Sequence, residues 1–437
     1  MSKQSEQPQN GQKSLSLGVI FLTIFLDLVG FSIIFPLFPS ILEYYGQSGL
    51  LNSLTLFLDE FSAATGAGDR FTPVLFGGIL GSLYAFLQFF FAPIWGSLSD
   101  KKGRRTILLI TTLGVFASYI LWGFAGSFLT LVIARLVGGC MSGNISVATA
   151  AVADITNKEN RSKGMGIVGA AFGLGFILGP ALGGFLSQFN LLESHPEWAK
   201  YGINPFSLVA FVAAGLALLN FLWVKARFKE SLSDENRESS GSRNPIARLT
   251  DKLPPAIGKT NLAYFVFMFA FAGMEFTLTF LGADRFGFSA TQNAWMMVFV
   301  GFVLVLVQGG IVRRLAPKLG EKRVATTGLL LVAIGLVFLG IASSVSILYV
   351  GLAFLAFGVG LASPTLTSLV SLFASESEQG RALGTFRAIG SLARAIGPLL
   401  ASFVFWWFGS LQLYLVGAII TVVAALLCSR LPKPVKD

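Results

Sequence analysis

The sequence predicts an all-α integral membrane protein. Twelve transmembrane helices form two six-helix pseudo-symmetric bundles, with both termini expected in the cytoplasm. Three observations carry this reading: an apolar composition, twelve apolar segments of spanning length, and a second half that repeats the first. Of 437 residues, 54% are hydrophobic and 12% are charged, and the mean hydropathy is +0.72. An ordinary globular chain carries about 25% charged residues. The composition excludes a disordered chain, a disulfide scaffold and almost any soluble enzyme.

The segments run roughly over 15–39, 73–97, 105–126, 128–153, 163–188, 205–226, 261–282, 291–312, 323–342, 345–373, 382–408 and 411–430. Each holds the ~20 apolar residues that a membrane crossing needs. None alternates with the period of two that a barrel strand would show, so helices are expected. The first segment is too long for a cleavable signal, and no small-residue cleavage site follows it. Glycine is frequent inside the segments, which membrane helices tolerate where neighbours cover the backbone.

Lysine and arginine set the orientation. One side collects Lys101, Lys102, Arg104, Arg105, Lys158, Arg161, Lys163, the cluster within 225–259, Arg313 to Arg323, Arg381 and both termini. The other holds Arg70, Lys200 and Arg285 among the acids Glu43, Asp59, Glu60, Asp69, Glu193, Glu197 and Asp284. The positive side is expected to be cytoplasmic. The net charge of +10 is spread between apolar segments rather than gathered on one face, so no nucleic-acid partner is expected.

The chain divides into a cytoplasmic tail (1–14), a first bundle (15–226), a cytoplasmic linker (227–260), a second bundle (261–430) and a tail (431–437). The linker is charged, Ser-rich and contains proline. An outer loop spans 40–72, with Leu50, Leu54, Phe57, Leu58 and Phe61 at helical spacing. That spacing fits either an amphipathic helix on the membrane surface or an ordinary capped loop. The halves repeat at a shift of about 217 residues. Leu98, Gly103 and Arg105 are echoed by Leu315, Gly320 and Lys322, Arg161-x-x-Gly164 by Arg381-x-x-Gly384, and Gly179-Pro180 by Gly397-Pro398. Parallel six-helix repeats point to a transporter whose site lies between the halves at mid-membrane.

These residues resemble the major facilitator superfamily over nearly the whole chain. Gly96-x-Leu98-Ser99-Asp100-Lys101-x-Gly103-Arg104-Arg105 looks like that family's signature between helices 2 and 3. Gly175-Phe176-Ile177-Leu178-Gly179-Pro180-Ala181-Leu182-Gly183-Gly184 looks like the helix 5 signature of its drug:proton antiporter branch. Arg135 with Gly138 and Gly139 resembles the helix 4 motif. Asp27-Leu28-Val29-Gly30 followed by Pro36 and Pro39, together with Asp284-Arg285-Phe286 and Leu319-Gly320-Glu321-Lys322-Arg323, resembles tetracycline-type exporters. The long 40–72 loop departs from that subgroup. The resemblance implies a cytoplasmic latch. Asp100 would lie against the start of helix 11, with Arg387 as a second partner, and Arg104 would pair with Asp154. Such contacts are expected only while the cytoplasmic side is closed; the alternative is a solvated topogenic loop.

Ionisable groups inside the membrane are costly, and each is a functional candidate. At 1.5 Å per residue, Asp27 lies about 18 Å into segment 1 and Glu275 about 21 Å into segment 7. Both are measured from the basic side, one carboxylate in each half. Desolvation disfavours the charged carboxylate, which would let it exchange protons near neutral pH. A structural acid paired with Arg135, or merely hydrogen-bonded, is the other reading. Arg135 is expected near Asp27. Arg387, Ser391 and Arg394 share one face of segment 11. Arg394 is expected in the central cavity, meeting an anionic group or an acid of the other half, with Gln88 nearby. Asn144, Asn220 and Gln308 are either hydrogen bonds between helices or substrate contacts. Gly175, Gly179 and Gly183 form small-xxx-small steps, and Pro180 bends that segment. His195 is expected on the surface beside Pro196. Cys140 and Cys428 lack metal-ligand spacing, and no nucleophile–base constellation appears, so neither metal nor enzyme activity is expected.

The expectation is a proton-coupled exporter of a small amphipathic or cationic compound, of the multidrug-efflux kind, driven by an ion gradient without a cofactor. Its partners would be that small molecule and the lipid bilayer. A monomer in a bacterial inner membrane is expected, since no Asn-x-Ser/Thr site lies in an outer loop. Two alternatives remain: uptake or exchange of an organic anion or metabolite, and a transport-inactive scaffold or receptor.

Overall fold

The computed structural model describes residues 9–47, 49–64, 71–156, 158–231, 254–374 and 379–432. Among them there is no strand, and twelve helices are long and apolar enough to cross a membrane. The first six are Leu17–Gly46, Pro73–Lys102, Arg104–Gly123, Phe128–Val152, Ile167–Ser194 and Ser207–Arg227. The second six are Pro255–Phe286, Ala290–Leu319, Glu321–Ile341, Val345–Phe373, Ala382–Phe408 and Ser410–Ser429. They are spans 1 to 12 below. Residues 232–253 of the expected linker, 1–8 and 433–437 lie outside the described residues, as do the side chains of Lys158, Arg161, Lys163 and Arg381.

Spans 1, 4, 5 and 8 are not plain α-helices: span 5 is interrupted at 187–190, and in spans 1 and 8 the departure moves a boundary expected from sequence. Span 1 passes through a 3-10 turn at Phe35–Leu37 and continues as a helix over Phe38–Gly46. Pro36 and Pro39 occupy first-turn positions, where a missing N–H costs nothing, so they bend the span instead of ending it at 39. Span 4 breaks between Phe128–Met141 and Asn144–Ile155. Span 8 contains a π turn, Val307–Ile311, and then runs as helix to Leu319. Arg313, Arg314 and Lys318, expected in a loop, therefore lie on the helix.

The outer segment after span 1 is helical over Gly49–Ala64. Leu50, Leu54, Leu56, Phe57 and Phe61 are exposed on it, while Leu51 is buried and Leu58 packs against the core. The internal repeat also has a backbone counterpart. Gly103 opens span 3 at φ 93°, and Gly320 opens span 9 at φ 83°. Both occupy a left-handed region that a side chain would disfavour, which explains why the same residue recurs in both halves.

The halves meet along spans 2 and 11 and along spans 5 and 8. The contact is concentrated at the end away from the basic loops. There a Cβ on Gly77 would meet Phe280, one on Gly78 would meet Ser402, one on Gly184 would meet Ala294, and one on Gly301 would meet Ile177. The ring of Phe38 lies 5.0 Å from that of Phe276. Trp406 Nε1 donates to Thr72 Oγ1 at 3.3 Å, and Thr291 Oγ1 donates to the Gly184 carbonyl at 2.9 Å. At the basic end, Gly169 and Gly173 of span 5, Gly309 and Gly310 of span 8, and Gly384 of span 11 have no described atom within 4 Å of a Cβ position.

Gly175, Gly179 and Gly183 face span 1, where a Cβ would strike Leu28, Ser32 and the Ile33 carbonyl respectively. Ser32 Oγ exploits the approach by donating to the Gly175 carbonyl at 3.1 Å. The helix 5 signature is thus a seam within the first half, and of its glycines Gly184 faces span 8. Gly183→Ala should push spans 1 and 5 apart, at a cost of about 1–3 kcal/mol. Gly173→Ala should be neutral or stabilising, by up to about 1 kcal/mol. Thermal melts of the two variants in detergent check the contrast.

Candidate functional site

In the first half the site is built on the break in span 4. A broken helix leaves carbonyls without partners, and lipid offers no water to satisfy them. Span 2 supplies the donors. Gln88 Nε2 reaches the Ser142 carbonyl at 3.4 Å, and Trp95 Nε1 reaches the Cys140 carbonyl at 2.7 Å. Glycine is needed at 143 because the Trp95 indole fills the side-chain position. Asn144 opens the second segment. Its Oδ1 accepts from the Ile145 N–H at 3.0 Å, and its Nδ2 donates to Asp27 Oδ1 at 2.7 Å. Asp27 is only 9% exposed.

Arg135, expected near Asp27, shares neighbours with it: Tyr84 and Tyr119 each lie within electrostatic reach of both groups. Arg135 is buried with its guanidinium 4.2 Å from the centre of the Tyr84 ring, and its Nε has no hydrogen-bond partner. No ion pair joins it to Asp27 among the described residues. Asn144, placed among the substrate-cavity candidates, is the partner of Asp27. Gln88, expected beside Arg394, is occupied by the carbonyl of Ser142.

In the second half, Glu275 of span 7 and Arg394 of span 11 face each other, Oε2 to Nη1, at 3.4 Å. Their side chains are 24% and 39% exposed. An acid of the opposite half was the expected partner of Arg394, and here too the structure differs. The acid belongs to the same half, and what Arg394 reaches across the interface is the Phe176 ring of span 5, at 5.6 Å. Arg387 and Ser391 are exposed nearer the basic end, and Ser391 Oγ bonds the Arg387 carbonyl at 3.1 Å. Two arginines and one carboxylate thus mark one stretch of span 11 and its neighbour.

At the basic end, Arg104 is buried and sits between two carboxylates. Nη1 lies 2.5 Å from Asp100, and Nε lies 2.9 Å from Asp154. Ser231 Oγ also bonds Asp154, at 3.1 Å. The sequence reading missed Glu230. Its two oxygens accept from the N–H groups of Arg104 and Arg105 at 2.9 and 3.1 Å, capping the otherwise unpaired start of span 3. Arg105 Nη2 donates to the Lys225 carbonyl at 2.8 Å. All these residues belong to the first half or its exit. The Arg104–Asp154 pair that the resemblance implies is thus present, and it is made within the first half. The expected contact of Asp100 with the start of span 11 falls where side chains 375–381 lie outside the described residues.

Glu230→Ala should lower stability by about 0.5–2 kcal/mol, as loss of a helix cap does. Asp154→Ala should cost about 1.5–3 kcal/mol, since it removes a charged partner from a buried arginine. Thermal melts check both, and neither variant should alter substrate affinity.

Comparison with known proteins agrees with this architecture. The family model described as Major Facilitator Superfamily matches residues 20–319 and 311–437. The chain is 33% identical to Major facilitator superfamily domain-containing protein 10 of Mus musculus, over 98% of this chain and 95% of that protein. It is 29% identical to the class H tetracycline resistance protein of Pasteurella multocida, over 93% of each. A solved structure, the human organic anion transporter MFSD10 (TETRAN), is 33% identical, covers 97% of this chain and 100% of its own, and superposes with a TM-score of 0.75. Twelve apolar spans, a duplicated six-helix unit and a full-length match together place this integral membrane protein in the Major Facilitator Superfamily of transporters.

Proposed function

We propose that this chain is a proton-coupled secondary transporter of small amphipathic organic anions, working by alternating access. The observation that carries the reading is the loose Arg394–Glu275 pair at the interface between the halves. At 3.4 Å it is longer than the roughly 2.7–2.9 Å of a well-made charged hydrogen bond. An incoming carboxylate or sulfonate can take Glu275's place on Arg394. A carboxylate left behind in low dielectric is costly, and taking up a proton relieves that cost. Anion entry and proton uptake are then linked by competition for one guanidinium. Asp27, enclosed beside Asn144, is the second proton carrier, in the first half. The naming of MFSD10 as an organic anion transporter supports this reading.

Export of a cationic or zwitterionic drug is the second reading. Glu275 favours it, because a cation could replace Arg394 at that carboxylate, and so does the likeness to tetracycline resistance proteins. By the positive-inside rule the basic end faces the cytoplasm, which is the loading side of an exporter. An ion gradient is the proposed driving force, with no cofactor and a monomer as the working unit. A bacterial inner membrane was the expected location, and relatives come from animals as well as bacteria.

Inside-out vesicles with a preset pH gradient, challenged with matched organic anions and cations, test the reading. Anions should dissipate the gradient, and Arg394→Gln should cut their transport by about tenfold to a hundredfold, the worth of one charged hydrogen bond. Glu275→Gln should leave anion movement but uncouple it from protons. Response to cations alone, abolished by Glu275→Gln, would establish the drug-export reading instead. Substrate uptake that leaves every gradient unchanged would rule out proton coupling.

A further inference from the structure

The carboxyl of Asp27 is engaged on one oxygen only. Asn144 Nδ2 donates to Oδ1, and no described protein group donates to Oδ2. Beside it lies a cavity of about 10 Å³, lined by Asp27 and Leu26 of span 1, Thr112, Val115 and Tyr119 of span 3, and Ala217 and Asn220 of span 6. That volume is at the size that holds a single water.

Asn220 supplies the second, independent observation. It is 2% exposed, and its Oδ1 has no hydrogen-bond partner. Its Nδ2 donates to the Thr23 carbonyl at 3.2 Å. That bond fixes the amide orientation, since the flipped rotamer would set two acceptors against each other. A buried acceptor left unmade costs about 1–3 kcal/mol. The polar lining can be matched group by group. Thr112 gives its hydrogen to the Leu108 carbonyl at 2.7 Å and has lone pairs left. Tyr119 lines the same cavity, and its hydroxyl lies beside Gly30, about one turn along span 1 from Asp27.

We propose that this cavity binds one ordered water, which bridges the free oxygen of Asp27 and the amide oxygen of Asn220. The water donates to both acceptors and takes the Tyr119 hydroxyl as its donor, within the two to four partners of a typical internal water. The site deepens the reading of Asp27 as a proton carrier. An ionised Asp27 accepts from the water. A protonated Asp27 donates to it, and the water turns its own hydrogens to Asn220 and Thr112. Both states of the carboxyl are thus hydrogen-bonded without moving a helix. Asn220 is a positioning residue here: it acts on the carboxyl through the water.

The test is infrared difference spectroscopy, acid minus alkaline, on the full-length protein in lipid, in H2O and in H2 18O. Wild type should show a water O–H band that shifts in H2 18O. The band should vanish in Asp27→Asn and in Asn220→Leu. It should also vanish in Ala217→Val, which fills the cavity and leaves every polar group in place, so that loss in both variants cannot be laid to a damaged amide. Absence of the band in wild type would overturn the site, as would its survival in both cavity variants. A band that responds to sodium concentration rather than to the oxygen isotope would also overturn it, in favour of a cation. A band that behaves as expected, in a protein that moves no protons with substrate, would uphold the site and remove proton coupling.

Discussion

Everything in this fold answers to one constraint: backbone polar groups inside a bilayer must find partners within the protein. Unbroken helices meet it automatically. The places where this chain departs from unbroken helix are therefore where side chains have been recruited. The interruption in span 4 draws Gln88 and Trp95 from span 2 to two freed carbonyls. It also turns Asn144 toward Asp27. The charge in the first half is thus held by a defect whose repair is spread over two neighbouring helices. Span 3 solves the same problem at its end, where Glu230 returns from beyond span 6 to take the first two amides.

The second half is organised differently. Its carboxylate is held by a partly exposed guanidinium, without a broken helix. The pseudo-symmetry of the backbone, visible in the paired left-handed glycines Gly103 and Gly320, does not extend to the chemistry. One half encloses its acid with an amide, and the other exposes its acid beside an arginine. Such asymmetry gives a two-bundle machine one sheltered titratable group and one that an incoming molecule can touch.

The spans, the repeat and the depth of Asp27, Glu275 and Arg394 were legible because hydropathy and axial rise are additive along a chain. The partners of those residues were not. Depth says nothing about the direction a side chain faces, and a break with no proline, here Ser142 and Gly143, resets that direction unannounced. Arg135 and Asp27 were matched by depth and do share Tyr84 and Tyr119 as neighbours, yet the arginine stacks on Tyr84 instead of pairing with the carboxylate. Gln88 was assigned to the cavity because span 2 does meet span 11, and nothing local showed that its amide also reaches a carbonyl of span 4. Glu230 was hidden by composition. An acid in a charged, serine-rich stretch reads as solvated, and nothing local marks it as the cap of a helix begun 126 residues earlier. The helix Gly49–Ala64 was one of two readings, because helical spacing in an outer loop also suits a loop that folds on itself.

The π turn of span 8 has a consequence for which way that span faces. A π turn amounts to one residue inserted into an α-helix. One residue is about 100° of rotation at 3.6 residues per turn. Before the turn, Ala294 and Gly301 present a single stripe to span 5. After it, the stripe is out of phase, so the stretch bearing Arg313, Arg314 and Lys318 addresses a different direction from the stretch that seals the outer end. Span 8 behaves as two helices sharing one axis. Its outer part keeps a fixed face toward the first half, while its basic part turns charge elsewhere, and a single inserted residue separates the two duties.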